Sequence, residues 1–175
     1  MLITSWVGME LGAVKPMSWK NNLFTLLGIA LIASAAASLN HLLARQRDAL
    51  MRRTQSRPLP QNKISTQHVR SLAIITIFFG SLLLYFFSNS LTLLLSLLSL
   101  FGYSIFYTLY LKHVTVQNIV IGGLAGASSP LLGWTAVTGQ IQPGGLLLTL
   151  VLFTWTPPHF LALALARYQD YVKSE

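Results

Sequence analysis

Residues 71–111 read SLAIITIFFGSLLLYFFSNSLTLLLSLLSLFGYSIFYTLYL, and no Lys, Arg, Asp or Glu interrupts them. A helix needs roughly 20 apolar residues to cross the hydrocarbon core of a bilayer. The stretch is long enough for two such helices, and the polar tripeptide Ser88-Asn89-Ser90 marks the turn between them. Residues 21–44 and 113–166 lack the same four residue types. The first of these runs holds one span. The second holds two, joined by Thr138-Gly139-Gln140-Ile141-Gln142-Pro143-Gly144-Gly145, where Gly and Pro punctuate the apolar pattern. The expected fold is all-α: a polytopic transmembrane helical bundle with helices at about 21–43, 70–87, 91–111, 115–137 and 146–168. It forms a single membrane domain over 1–175, with one cytoplasmic loop at about 44–69. Residues 2–11 are apolar apart from Thr4, Ser5 and Glu10 but too few to cross, and no basic run precedes them as in a signal peptide. They read as the later part of a helix.

Composition agrees. The 175 residues are 53% hydrophobic and 9% charged, against about 25% charged in a soluble domain. That balance excludes both a water-soluble globule and a disordered chain. There is no cysteine, so disulfides, thiolate metal sites, iron–sulfur clusters and cysteine nucleophiles are excluded. The net charge of +8 invites nucleic-acid binding, but the bases are confined to a few short stretches. Arg45, Arg47, Arg52, Arg53, Arg57, Lys63 and Arg70 lie in or beside one loop. Lys112 follows two crossings later, and Arg167 and Lys173 two crossings after that. Ten of the twelve bases therefore share one face, which the positive-inside rule makes cytoplasmic. Only Lys15 and Lys20 lie opposite.

Small residues suggest where helices meet. Ala33-Ser34-Ala35-Ala36-Ala37-Ser38 permits close approach to one helix, and Gly122 with Gly126 forms a GxxxG pair followed by Pro130. These read as bundle packing, with a kink at the proline.

Polar residues at membrane depth are costly and mark functional sites. Two places stand out, both on the basic face. In the segment from Asn40 to Pro58, Asn40, Ala44 and Asp48 are spaced by four and share a helical face. Asp48 is the one acid among the seven bases from Arg45 to Arg70. An acid there could hold Mg²⁺, which binds through one or two carboxylates plus phosphate oxygens. Arg53 and Arg57 offer the fork geometry that clamps a diphosphate. Simpler accounts of the segment exist: it sets topology, it meets anionic lipid, or Asp48 only pairs with Arg45 or Arg52.

The second place runs from Trp155-Thr156-Pro157-Pro158-His159-Phe160 to Arg167-Tyr168-Gln169-Asp170-Tyr171. Adjacent prolines should break or kink the helix and free carbonyls to line a cavity. His159 reads as a haem contact or a substrate-orienting group, or as an interhelical hydrogen-bond residue. Asp170 reads as a second metal-binding carboxylate or as a solvated end residue. Lys112, after Tyr103, Tyr107 and Tyr110, emerges on the same side. Two acids, several Arg and a Lys at one mouth of an apolar bundle suit an amphiphile with a diphosphate head.

The stretch Asn40–Leu59, ending Arg53-Thr54-Gln55-Ser56-Arg57-Pro58-Leu59, resembles the first Asp-rich motif of the UbiA-type intramembrane prenyltransferases. Three further stretches resemble the haem-directed farnesyltransferases within that family: Tyr107-Thr108-Leu109-Tyr110-Leu111-Lys112, Gly122 to Ala136, and Trp155 to Phe160 with Arg167 and Asp170-Tyr171. The resemblance covers nearly the whole chain. It implies transfer of farnesyl from farnesyl diphosphate to a vinyl group of haem b, giving haem O and diphosphate, with Mg²⁺ as cofactor. By motif match it implies catalytic roles for Asp48, Asp170 and Asn40, metal binding by Asp48 and Asp170, and substrate binding by Arg53, Arg57, Lys112, His159, Arg167 and Tyr107. It also implies a multi-pass protein of the cell inner membrane, or of the mitochondrial inner membrane. Its site would open to the cytoplasm, and haem A synthase or a terminal oxidase would be possible associates.

Two departures from the family pattern carry expectations of their own. The family has an acid where this chain has Ala44, so metal binding is to be completed by Asn40, Asp170 or water. The family also has further helix before Leu2 and after the Asp170-Tyr171 motif, so the bundle is expected to be truncated at both ends. The alternatives are an inactive remnant or a non-catalytic membrane subunit that binds haem or an oxidase. A quinone-pathway aromatic prenyltransferase ranks lower, and lipid or nucleic-acid binding through the Arg loop ranks lowest.

Overall fold

A computed structural model describes residues 1–15, 17–49, 54–104 and 118–166. Every regular element among them is helical: α1 (Leu2–Gly12), α2 (Trp19–Asp48), α3 (Thr66–Phe87), α4 (Ser90–Phe101), α5 (Asn118–Ala127), α6 (Ser129–Thr138) and α7 (Pro143–Ala166). The expected helices are all present where the chain is described. The residues expected to extend the third span to 111 and the last to 168 lie outside the described set.

Among the described residues two helices are long and apolar enough to cross a membrane, over Trp19–Gln46 and Thr66–Phe87. In α3 the apolar residues do not turn inward. Phe78 is 61% and Phe86 68% exposed, while Ala73 and Leu84 on the other side are buried. A helix that is apolar all round belongs in lipid or a large core, and this outer face has no protein to cover it among the described residues.

The span expected over 115–137 is two helices, with the break at Ser128. Pro130 explains it, because proline fits the first turn of a helix and not its interior. Ser128 and Ser129 turn their hydroxyls to the carbonyls of Ala125 and Gly126 at 2.8 and 2.7 Å, which occupies carbonyls left without helix partners. The opposite happens at Pro157-Pro158. The sequence leads one to expect a break, yet α7 runs through both prolines. The pyrrolidine nitrogens leave the carbonyls of Phe153 and Thr154 without an i+4 donor, a loss that membrane helices tolerate where side chains and neighbours compensate.

Close crossings depend on glycine. Helices α2 and α3 pack along their length and pass at Gly28 and Gly80. A Cβ on Gly80 would lie 2.9 Å from Ile32 Cγ1 and 3.0 Å from the Gly28 carbonyl oxygen. Helix α1 crosses α6 more tightly still. A Cβ on Gly133 would lie 1.8 Å from the Ser5 carbonyl oxygen, and one on Gly8 2.2 Å from that of Pro130. Ser5 Oγ donates to the Ser129 carbonyl at 2.9 Å across the same seam. Helix association in lipid depends on close approach of this kind.

At the end opposite the basic loop, Asn89 caps α4 by accepting from Thr92 N–H at 2.9 Å. Its amide nitrogen donates to the carbonyls of Thr135 and Ala136 at 2.8 and 3.2 Å. The α3–α4 turn is thereby fastened to the last turn of α6. Gly139, at φ +67°, closes α6 in the left-handed conformation.

Candidate active site

Asp48 is the last residue of α2, and its carboxylate is about 10% exposed. The chain then returns through a string of turns. Thr54, 3% exposed, donates its hydroxyl to the Asp48 carbonyl at 2.9 Å and so closes the helix end. Arg57 N–H bonds the Thr54 carbonyl at 3.0 Å, which brings the Arg57 guanidinium back over α2. Its Nη1 donates to Asp48 Oδ2 at 2.7 Å. Among the described residues the partner of Asp48 is therefore Arg57, not Arg45. Arg45 donates to Asn62 Oδ1 instead, and Arg52 lies outside the described residues.

His41 completes the cluster. Its Nδ1 lies 3.2 Å from Arg57 Nη1 and 4.0 Å from Asp48 Oδ2. The Arg57 contact is a hydrogen bond when Nδ1 carries no proton. Sequence reading passed over His41, although seven residues make almost two turns of helix and put it on the face of Asp48. His41, Asp48 and Arg57 line a cleft of about 310 Å³ with Ser38 and the apolar side chains of Pro58, Leu59, Ile64 and Leu72.

A second cavity, of about 530 Å³, lies inside the bundle among α2, α4, α5, α6 and α7. Ile29, Ile32, Ala33, Ala36 and Ala37 of α2 form one wall, and Ser96, Ser99, Leu100 and Tyr103 of the α4 segment another. Gly122, Gly123, Gly126 and Thr156 complete it. Ser96, 2% exposed, has no hydrogen-bond partner for its hydroxyl. A buried hydroxyl left so costs about 1–3 kcal/mol.

Asn40 joins the two places. It lies one helical turn beyond the Ala36 wall, and its amide donates to Tyr103 Oη at 2.9 Å. Ala44 is buried at 7% exposure. Asn40 and Asp48 share the face only loosely, since eight residues advance a helix by about 80° beyond whole turns. Asn40 meets the wall of the inner cavity, whereas Asp48 turns to the cleft beside α3.

His159 stacks on Trp155, with ring centroids 4.3 Å apart and planes at 17°. The pair is exposed on α7, next to the cavity-lining Thr156. Four residues apart on α7, the two rings share one helical face. Gly122 and Gly126, expected at a helix contact, line the inner cavity instead. Gly123 makes the contact, for a Cβ there would lie 2.6 Å from Thr156 Cγ2. Arg53, Tyr107, Lys112, Arg167 and Asp170 lie outside the described residues.

The donor set suits a metal only in part. No group of three or more His, Asp or Glu that could hold one occurs among the described residues. Asp48 supplies one buried carboxylate, enough for a cation held mainly by phosphate oxygens and too little for an all-protein cage.

Comparison with known proteins fits this arrangement. The UbiA prenyltransferase family model matches residues 1–175. A protoheme IX farnesyltransferase of Legionella pneumophila (strain Paris) is 53% identical over 175 residues, which is all of this chain and 60% of that protein. One from Vibrio vulnificus (strain YJ016) is 50% identical over 173 residues, 99% of this chain and 58% of that protein. The chain thus spans about three-fifths of the length of these curated relatives. The apo structure of a UbiA homolog from Aeropyrum pernix K1 superposes with a TM-score of 0.80 at 19% identity, covering 99% of this chain and 65% of that one. The chain is a membrane protein of helical-bundle fold, and it belongs to the UbiA prenyltransferase family.

Proposed function

We propose that this chain carries the prenyl-diphosphate half of a protohaem IX farnesyltransferase, which moves the farnesyl group of farnesyl diphosphate onto a vinyl group of haem b to give haem O. The observation that carries the reading is the pairing of a small-residue apolar cavity of about 530 Å³ along the middle of α2 with an Asp–Arg–His cluster, its carboxylate buried, at the end of that helix. Ligand sites of this kind run to roughly 300–1,000 Å³ and combine apolar walls with a few polar groups. Relatives that share half their residues with this chain bear the same activity in their names.

In this reading Arg57 binds and orients the diphosphate, and its guanidinium answers the charge that grows on the leaving oxygen. Asp48 and Thr54 fix where Arg57 stands. Arg53 and Lys112 supply further charge. Asp48, with Asp170, would hold Mg²⁺, which neutralises diphosphate charge when bound. The apolar walls receive the isoprenoid and keep water from the allylic carbon. The allylic C–O bond breaks with its electron pair leaving on diphosphate, the vinyl π electrons form the new C–C bond, and a water adds to the porphyrin-side carbon left cationic and loses a proton, which gives haem O its hydroxyl. The flat Trp155–His159 stack, with Arg167 and Tyr107, is a surface suited to the porphyrin.

The basic loop sets the site on the cytoplasmic side of the cell inner membrane. Association with haem A synthase or a terminal oxidase follows from the product and is read by co-purification. The decisive test is incubation of membranes containing the chain with haem b, Mg²⁺ and farnesyl diphosphate. Haem O is the expected product, and its absence from a well-expressed sample rejects the proposal.

A further inference from the structure

We infer that Gly126 sets the bore of the inner cavity and thereby the length of isoprenoid chain it accepts. The inference rests on the prenyltransferase reading and deepens it.

The glycines of α5 do different things. A Cβ on Gly123 would strike Thr156 of α7, at 2.6 Å. A Cβ on Gly126 meets nothing within 4 Å among the described residues, although Gly126 lines the inner cavity. Among the described residues, packing between helices gives no reason for glycine at 126. Space inside the cavity does.

Position along the bore follows from the hydrogen bonds. Ser128, two residues on, meets Ser99 with the hydroxyls 3.3 Å apart. Ser99 lies one turn of α4 from Tyr103, which Asn40 holds at the polar end, and one turn from Ser96 on the other side. Gly126 thus stands part-way between that polar end and the deeper wall of Ile29, Ile32, Ser96 and Leu132. A side chain at 126 would close the inner half of the space and leave the outer half open.

Substitution at 126 should leave the fold alone and shorten the accepted chain. The experiment compares the full chain and its Gly126→Leu variant, purified in detergent, for binding of geranyl and farnesyl diphosphates. Gly126→Ala serves as an intermediate step and Gly123→Leu as a packing control. The expected result is a shift of at least about 10-fold toward geranyl diphosphate in Gly126→Leu, with a melting temperature equal to the parent's. Gly123→Leu should melt earlier. Unchanged preference in a Gly126→Leu variant that melts like the parent overturns the inference while the prenyltransferase reading stands. Early melting of Gly126→Leu also overturns it, because the glycine would then serve packing. If the parent chain binds neither diphosphate, the broader reading falls and takes the inference with it.

Discussion

The two ends of this bundle are built on opposite plans. At the Asn89 end, one side chain caps α4 and bonds two carbonyls of α6. At the Asp48 end, an acid, an arginine and a histidine surround a cleft of about 310 Å³. The first end commits the Asn89 amide to backbone groups, although the Ser88 hydroxyl and the Asn22 amide oxygen there are buried without a partner. The second holds a carboxylate and a guanidinium whose remaining hydrogen-bonding capacity faces a space. Polar groups placed only for stability tend toward mutual saturation, and charges kept beside open volume point to a ligand.

That contrast can be broken at three points. Asp48→Asn should lower haem O formation the most, by about 10²–10³-fold, the size of loss seen when a preorganised electrostatic group is removed. The measurement is turnover per folded molecule in detergent, and a loss under tenfold would remove Asp48 from the chemistry. Arg57→Lys keeps the charge but gives up the planar fork. It should raise the KM for farnesyl diphosphate by about 10-fold, and an unchanged KM would leave Arg57 a purely structural partner of Asp48. Asn89→Ala should cost about 1–2 kcal/mol of stability through the lost cap, read as an earlier thermal melt, with turnover per folded molecule unchanged. A loss of turnover without a loss of stability there would erase the distinction between the two ends.

What could be read from the sequence follows the physics that is local. Uncharged runs measured against bilayer thickness located the helices, and the turn at Ser88–Ser90 stands where polarity interrupts them. The loop before α7 falls where Gly139 supplies a positive φ. Asn40 and Asp48 emerged from spacing and cost of burial. The partner of Asp48 did not, because it depends on how the turns after Thr54 fold back, a matter of three-dimensional path. Arg57 was singled out for a diphosphate and turns out to hold Asp48 as well. Glycine was ambiguous for the same reason. Gly122 and Gly126 carry the familiar helix-pairing pattern and line a cavity, while Gly8, which forms a GxxxG pair with Gly12 that was passed over, and Gly133 make the tightest glycine contacts among the described residues. The Pro157-Pro158 pair shows a third limit, since a lost hydrogen bond is a local penalty and continuity of α7 is decided by its neighbours.

The seam between α1 and α6 has a consequence for biosynthesis. Ser5 and Ser129 stand 124 positions apart, so α1 finds its mate only after α2, α3, α4 and α5 have been made. Until then α1 must wait at the membrane surface or in a translocon with its glycine face uncovered. Its docking is one of the late events in assembly, and a stalled nascent chain ending before Ser129 should leave Ser5 open to chemical labelling after Ser5→Cys substitution.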